Sequence, residues 1–375
     1  MNDDAPSELL FPDGTGEARR SASIARFWGN RRGDEKKGGV AQKGRRNRMY
    51  RELALEFARV TEAAALASAR WMGRGDKHAA DDAATEAMRA MFDTVSIDGV
   101  VVIGEGEMDE APMLYIGEKV GAGGDAELDI AVDPLEGTNI VAKGLNGAIS
   151  VLAAAHRGCL LHAPDMYMDK IAVGPAAVGR IHLDAPVEDN LKNVADALGK
   201  KIDELSVVIL DRPRHSELIS RCRKAGARIQ LIPDGDVAPA VATAFPDSGI
   251  DIMMGIGGAP EGVIAAAAIR CLGGEMQGRL CPETAEEEAR CVSMGLEDPR
   301  KILLLEDMVR GDGVIFAATG ITDGSLLKGV KYTAQGAVTH TVVIRGRTGT
   351  VRFINALHRL DRKPHFGRGR NEAQG

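Results

Sequence analysis

Aromatic side chains are scarce in this chain, at 4% of 375 residues, while glycine alone fills 45 positions and alanine is abundant. With few large rings to fill wide gaps, the composition suits helices packed closely on sheets, as in a layered α/β protein. Cysteine is sparse as well. Cys159, Cys222, Cys271, Cys281 and Cys291 are odd in number and form no Cys-x-x-Cys pair, which excludes the common zinc-ribbon and dithiol motifs. They read as free thiols of a reducing cytosol, with a Cys281–Cys291 disulfide as the rarer alternative. No apolar run approaches the ~20 residues that span a bilayer, so no membrane partner is expected. An apolar leader typical of secretion is missing too. No Gly-x-x-x-x-Gly-Lys-Ser/Thr occurs, and Gly255-x-Gly257-Gly258 does not fit the dinucleotide fingerprint, so a nucleotide cofactor is unsupported. A net charge of −7 argues against a nucleic-acid partner, although residues 19–48 are biased toward Arg and Lys.

What the chain does have is a short apolar run that ends on a carboxylate. In Leu128-Asp129-Ile130-Ala131-Val132-Asp133-Pro134-Leu135-Glu136-Gly137-Thr138-Asn139, the alternation of Leu128, Ile130 and Val132 predicts a strand. Pro134 cannot donate to a ladder, which places Asp133 at the strand's end. Glu136 follows in the turn, Gly137 lets the backbone curl, and Thr138 and Asn139 offer a hydroxyl and free N–H groups at a helix start. Carboxylates for a hard cation thus stand beside donors for an anion, as expected around a magnesium-bound phosphate. The design recurs at residues 99–103, a Val-rich strand that delivers Glu105 between two glycines. Glu107, Asp109 and Glu110 read as a solvated loop. On the helix predicted after Gly75, Asp81 lies three residues before Ala84 and seven before Met88, so it points inward and Asp82 outward. An inward carboxylate calls for a partner, either a cation or the positive end of the helix dipole.

The segment Asp133-Pro134-Leu135-Glu136-Gly137-Thr138 resembles the metal motif of the magnesium-dependent, lithium-sensitive sugar and inositol phosphatases. From Met49 to about Lys363 the chain resembles a class II fructose-1,6-bisphosphatase almost without interruption. Further stretches carry this likeness: Gly73-Arg74-Gly75-Asp76-Lys77, residues 102–112 around Glu105, and Ala163-Pro164-Asp165-Met166-Tyr167-Met168. Pro233-Asp234-Gly235-Asp236-Val237 and Gly255-Ile256-Gly257-Gly258-Ala259-Pro260-Glu261-Gly262 complete them.

The resemblance implies an α/β protein with an α+β part, in the layered αβαβα sugar-phosphatase fold. It implies metal ligands at Asp81, Glu105, Asp133, Glu136 and Glu261, the backbone carbonyl of Leu135 as a further one, and two or three Mg²⁺ or Mn²⁺ ions per active site. Thr138 is implied as the group that orients or helps deprotonate the attacking water. Sugar-phosphate contacts are implied at Glu136, Gly137, Thr138, Tyr167, Arg212, Arg214, His215, Asp234, Gly235, Asp236 and Gly258. In chemical terms Arg214 suits a phosphate, and the Asp234/Asp236 pair suits sugar hydroxyls. The implied reaction is hydrolysis of D-fructose 1,6-bisphosphate to D-fructose 6-phosphate and phosphate in gluconeogenesis, by a cytoplasmic homodimer or homotetramer. A bifunctional fructose-1,6-/sedoheptulose-1,7-bisphosphatase of carbon fixation and a non-catalytic sugar-phosphate sensor are the rival readings. An inositol monophosphatase fits the central motif but not the later loops.

Residues 1–48, rich in Gly, Ser and charge, read as a disordered extension or as a misassigned start, since the resemblance begins at Met49. A helix is predicted over about 50–72, and strands at 148–154, 171–173 and 181–183. Residues 184–190, with Pro186, serve as the expected boundary between a metal-binding α+β domain, 49–188, and a sugar-phosphate-binding α/β domain, 189–345. In the second, strands at 207–210, 228–232 and 250–254 alternate with helices, the signature of a parallel sheet whose ligands bind at the C-terminal strand ends. Strands at 313–319, 339–344 and 350–354 follow, and residues 346–375 are assigned to a terminal strand and a polar tail that should fray from Asp361.

Overall fold

The computed structural model describes residues 40–106, 111–294, 296 and 298–362; the acidic stretch Glu107–Glu110, residues 1–39 and the end of the polar tail lie outside them. Helix α1 (Val40–Ser68) begins well before the predicted start and ends in a single 3-10 turn. It is followed by α2 (Lys77–Phe92), β1 (Asp98–Ile103), β2 (Lys119–Val120), β3 (Glu127–Glu136), a short α3 (Thr138–Lys143), β4 (Ile149–His156) and β5 (Tyr167–Val173). The middle of the chain alternates α4 (Val187–Leu198), β6 (Ser206–Leu210), α5 (Ser216–Ala225), β7 (Arg228–Ile232), α6 (Val237–Ala242), β8 (Ile252–Gly258), α7 (Ala259–Leu272) and β9 (Glu275–Leu280). Strands β10 (Ile315–Gly320), β11 (Lys331–Thr333), β12 (Gly336–Arg345) and β13 (Thr350–His358) come last.

These strands form two sheets. The first has the order β11-β12-β10-β4-β3-β1-β2 with β13 paired to β12, and the second the order β7-β6-β8-β5-β9. Alternation along each strand sends side chains to opposite faces. Ile130, Val132, Leu152 and Ala154 pack against Phe57, Val60, Met88 and Phe92 of α1 and α2. Ala131, Val151 and Ala153 face the other way, into a layer shared with α6, α7 and Met168, Ala172 and Met253 of the second sheet. Beyond that sheet, Ile171, Val207 and Ile252 meet Leu191 and Val194 of α4 and Ile219 of α5. The resulting order of layers is α, β, α, β, α, as the resemblance implies. Helix α7 can lie between two sheets because Ala265–Ala268 keep its girth small; all four are buried. Each large apolar side chain at full burial, such as Phe57, contributes about 1.5–3 kcal/mol.

Several expectations are corrected. Pro134 does not end β3: the strand runs on to Glu136, with the register broken between Asp133 and Glu136, so a bulge absorbs the proline. Residues 181–183 form no strand. The second sheet is mixed, because β6 runs parallel to β7 and β8 whereas β5 pairs antiparallel with both β8 and β9. Residues 44–375 form one compact unit. The second sheet takes β5 from before residue 184, and the strands from β10 onward return to the first, so residues 189–345 are divided between the two sheets.

Candidate metal centre and active site

Strands β1 and β3 are parallel, so both deliver their last residues to one edge of the sheet. Glu105 stands just beyond β1, and Asp133 and Glu136 lie at the end of β3. Within the bulge, Asp133 Oδ1 accepts from the Leu135 N–H at 3.0 Å; Leu135 itself lies where the ladder is interrupted. Gly137, at φ +96°, then turns the chain into α3, which starts on Thr138. Glu136 is buried, and its Oε1 accepts from the Val237 N–H at 3.1 Å, so it caps the first residue of α6. Glu261 comes from the inter-sheet layer, in the first turn of α7 behind Pro260. A Cβ on Gly258 would lie 1.8 Å from Glu261 Oε2, so a larger residue there would displace this carboxylate.

Carboxylate oxygens of Asp133, Glu136 and Glu261 thus lie within 4.8 Å of one another. The cluster extends outward, since Glu105 presses electrostatically on Asp133, and Asp81 with Asp82 presses on Glu105. Burial, then Asp81 and Asp82, push the Glu105 carboxyl up to about 8. Burial, Glu261 and Asp236 push Glu136 up to about 8 against the Val237 hydrogen bond. Burial and then Glu136, Glu105 and Glu261 hold Asp133 well above the ordinary carboxylate range. Glu261 is raised by burial although Lys170 pulls it down, and Asp81 by burial and then Asp82.

Such a cluster fits a hard divalent cation. Its donors are all carboxylate oxygens, and Glu261 Oε2 is buried without a hydrogen-bond partner. A cation there satisfies the orphaned oxygen and removes the repulsion that raises the acids. Cation uptake must therefore displace protons. Apparent Mn²⁺ affinity is expected to rise with pH and level off above about 8, with protons released on binding at lower pH. Calorimetry in two buffers of different ionisation enthalpy checks this; equal heats at about pH 6, between the ordinary and raised carboxyl values, would show that no protons leave.

The sugar-facing side is built by the second sheet. Arg214 lies over the Tyr167 ring, Cζ 4.6 Å from its centroid, and its Nε and Nη2 donate to the Ile256 carbonyl at 3.1 and 2.8 Å. Both side chains are exposed, so the pair forms a fixed cationic shelf. Asp234 Oδ2 accepts from Asn139 Nδ2 at 3.1 Å, which joins the β7–α6 loop to the start of α3. Arg212 reaches Asp234 Oδ1 at 3.4 Å and donates to the Pro233 carbonyl at 2.6 Å, committing it to the same loop. Gly235 lies against Glu136, 3.7 Å from a virtual Cβ to Oε1.

Two of the predicted contacts, His215 and Asp236, are buried and have protein partners. His215 is buried; its Nδ1 donates to the Leu210 carbonyl at 2.7 Å while Nε2 accepts from the Ile256 N–H at 2.8 Å. With both nitrogens committed and burial lowering its pKa, this ring braces the β8 loop. Asp236 is also buried, 2.6 Å from the ammonium of Lys170, a residue the sequence reading missed.

The family model described as bacterial fructose-1,6-bisphosphatase, glpX-encoded, matches residues 51–358. The chain is 54% identical over 328 residues to fructose-1,6-bisphosphatase 1 class 2 of Escherichia coli K12, covering 84% of this chain and 97% of the relative. It is 51% identical over 326 residues to fructose-1,6-bisphosphatase class 2 of Haemophilus influenzae, covering 84% and 98%. A Synechococcus relative named D-fructose 1,6-bisphosphatase class 2/sedoheptulose 1,7-bisphosphatase is 49% identical over 337 residues, covering 84% and 97%.

Proposed function

This chain belongs to the class II fructose-1,6-bisphosphatase family, and from that premise we propose that it hydrolyses D-fructose 1,6-bisphosphate at the 1-phosphate, giving D-fructose 6-phosphate and phosphate. The observation that carries the reading is the convergence of Asp133, Glu136 and Glu261, from two different elements, around a buried oxygen without a partner. In this proposal two or three Mg²⁺ or Mn²⁺ ions are held by Asp81, Glu105, Asp133, Glu136, Glu261 and the Leu135 carbonyl. When bound, such ions polarise the phosphoryl oxygens, make water more acidic and neutralise the leaving alkoxide. Thr138, at the first position of α3, orients the attacking water through its hydroxyl. Glu136 and Gly137 flank the transferred phosphoryl group, while Gly258, Gly235 and Asp234 shape the sugar pocket. Arg214, steadied on Tyr167, receives the phosphate that is retained. Asp236 and His215 serve by holding the loops that carry these groups. The proposed setting is gluconeogenesis in the cytoplasm, as a homodimer or homotetramer without nucleic-acid or membrane partners.

Replacing Arg214 with alanine is expected to raise KM roughly tenfold to a hundredfold with little change in kcat, the loss of a charge-assisted contact made equally in ground and transition states. An unchanged KM with a collapsed kcat would assign Arg214 to the transition state. The reading as a whole is checked by phosphate release with Mg²⁺ or Mn²⁺, with and without EDTA. Fructose 1,6-bisphosphate, sedoheptulose 1,7-bisphosphate and inositol 1-phosphate are the substrates to compare. Comparable release from the seven-carbon substrate would favour the bifunctional reading, which the name of the Synechococcus relative supports. Silence on all three from a folded, metal-binding sample would leave the sensor.

A further inference from the structure

We infer that Lys170 is a positioning residue of the metal centre: its buried ammonium neutralises Asp236 and anchors Gly258, and so fixes the spacing of Glu136 and Glu261. The inference rests on the metal-site reading above. Lys170 is fully buried on β5, with Nζ 2.6 Å from Asp236 Oδ2 and donating to the Gly258 carbonyl at 2.9 Å. Each partner leads directly to a member of the acid cluster. Asp236 precedes Val237, whose N–H holds Glu136 Oε1 at 3.1 Å. Gly258 caps α7, the helix that carries Glu261 in its first turn.

Space around the ammonium is tight. A Cβ on Gly257 would come within 2.1 Å of Asp236 Oδ2 and 2.9 Å of Lys170 Nζ, and a Cβ on Gly262 within 3.2 Å of Lys170 Cδ. A side chain at Gly257 would therefore have to displace the pair, and one at Gly262 would press on the lysine stem. Without the ammonium, Asp236 would place an uncompensated buried charge beside two acids on which it already presses. The cluster would then relieve itself by spreading or by drawing a cation onto Asp236, and either response pulls Glu136 and Glu261 out of register. Groups that orient ligands in this way typically govern metal affinity by about 10–100-fold.

The test measures Mn²⁺ binding to the full chain by calorimetry, without substrate, for the parent, Lys170→Met, Asp236→Asn and the double variant. Lys170→Met is expected to weaken binding by about tenfold or more, and the double variant to recover part of that loss, because removing both charges removes the conflict while the Gly258 carbonyl still lacks its donor. Asp236→Asn alone should also weaken binding about tenfold, since the positive charge of Lys170, which already acts on Glu261, is then no longer balanced by Asp236. A side chain that acts by packing alone would instead give additive losses. Equal Mn²⁺ affinity in the parent and Lys170→Met would overturn the inference, as would a double variant no better than the single. Should Lys170→Met not fold, recovery of a folded, Mn²⁺-binding double variant supports the inference. If the double variant also fails, unchanged binding by Asp236→Asn overturns it. A parent that takes up no Mn²⁺ would overturn the metal reading and this inference together.

Discussion

Glu136→Gln is expected to lower kcat/KM by roughly three orders of magnitude or more while making the metal-free protein more stable. Both effects come from one fact, the burial of this carboxyl beside Glu261 and Asp236. Glutamine keeps the size of the side chain and an oxygen for the Val237 N–H, so α6 keeps its cap, but it brings no charge to a cation. The stability effect has a definite sign. The carboxyl is pushed up to about 8 in the fold, above its ordinary value of 4.5, so the folded protein holds a proton that the unfolded chain releases. Stability of the metal-free form therefore falls as pH rises from about the ordinary carboxyl value to about 8, and is constant in this respect above it. Glutamine abolishes that loss. Thermal melts in EDTA should show the variant gaining on the parent across this interval and little difference below it. A variant less stable than its parent at high pH would mean that Glu136 is not a strained acid waiting for a cation.

How much of this centre can be read from residues alone depends on whether a signal is local. Asp133 and Glu136 close a strand, and Glu105 stands just beyond one, each behind a run of apolar residues, so the chain announces these carboxylates locally. Asp81 is placed by helical spacing, and its half-buried position beside exposed Asp82 agrees with that spacing. Lys170 is hidden by the opposite circumstance. On β5, Met168 and Ala172 enter the inter-sheet core while Ile171 and Val173 face the outer one, and Lys170 shares the face of Met168. Two adjacent charges, Asp169 and Lys170, interrupt the apolar pattern, so the strand reads as starting at residue 171 and the lysine as loop. Only the pairing with β8 and β9 restores the strand's first half, and that pairing joins residues far apart in sequence.

The layers show the same division. The βα alternation of residues 206–258 is legible because each crossover is local, and the parallel part of the second sheet follows from it. Its antiparallel half is not, since β5 arrives from before the region and β9 from after it. The main-chain partners of His215 are equally hidden. Its loop is at the site, but a histidine next to two arginines gives no sign in sequence that both nitrogens will be taken by main chain.

Thr138→Ala should lower kcat by about 10²–10⁴ while leaving KM and Mn²⁺ affinity within about threefold of the parent. The residue follows Gly137, whose left-handed backbone sets the first turn of α3 next to Glu136. Alanine is well tolerated at that position, so the fold and the acid cluster should be unaffected. No carboxylate is removed, which is why metal binding separates this variant from Glu136→Gln. Thr138→Ser provides the complementary reading: it restores a hydroxyl without the methyl group and is expected to recover most of the rate. If serine were as slow as alanine, the methyl group and its packing would matter, not proton handling or water orientation. Near-normal kcat in the alanine variant would remove Thr138 from the chemistry, leaving the carboxylates and their cations to position the attacking water unaided.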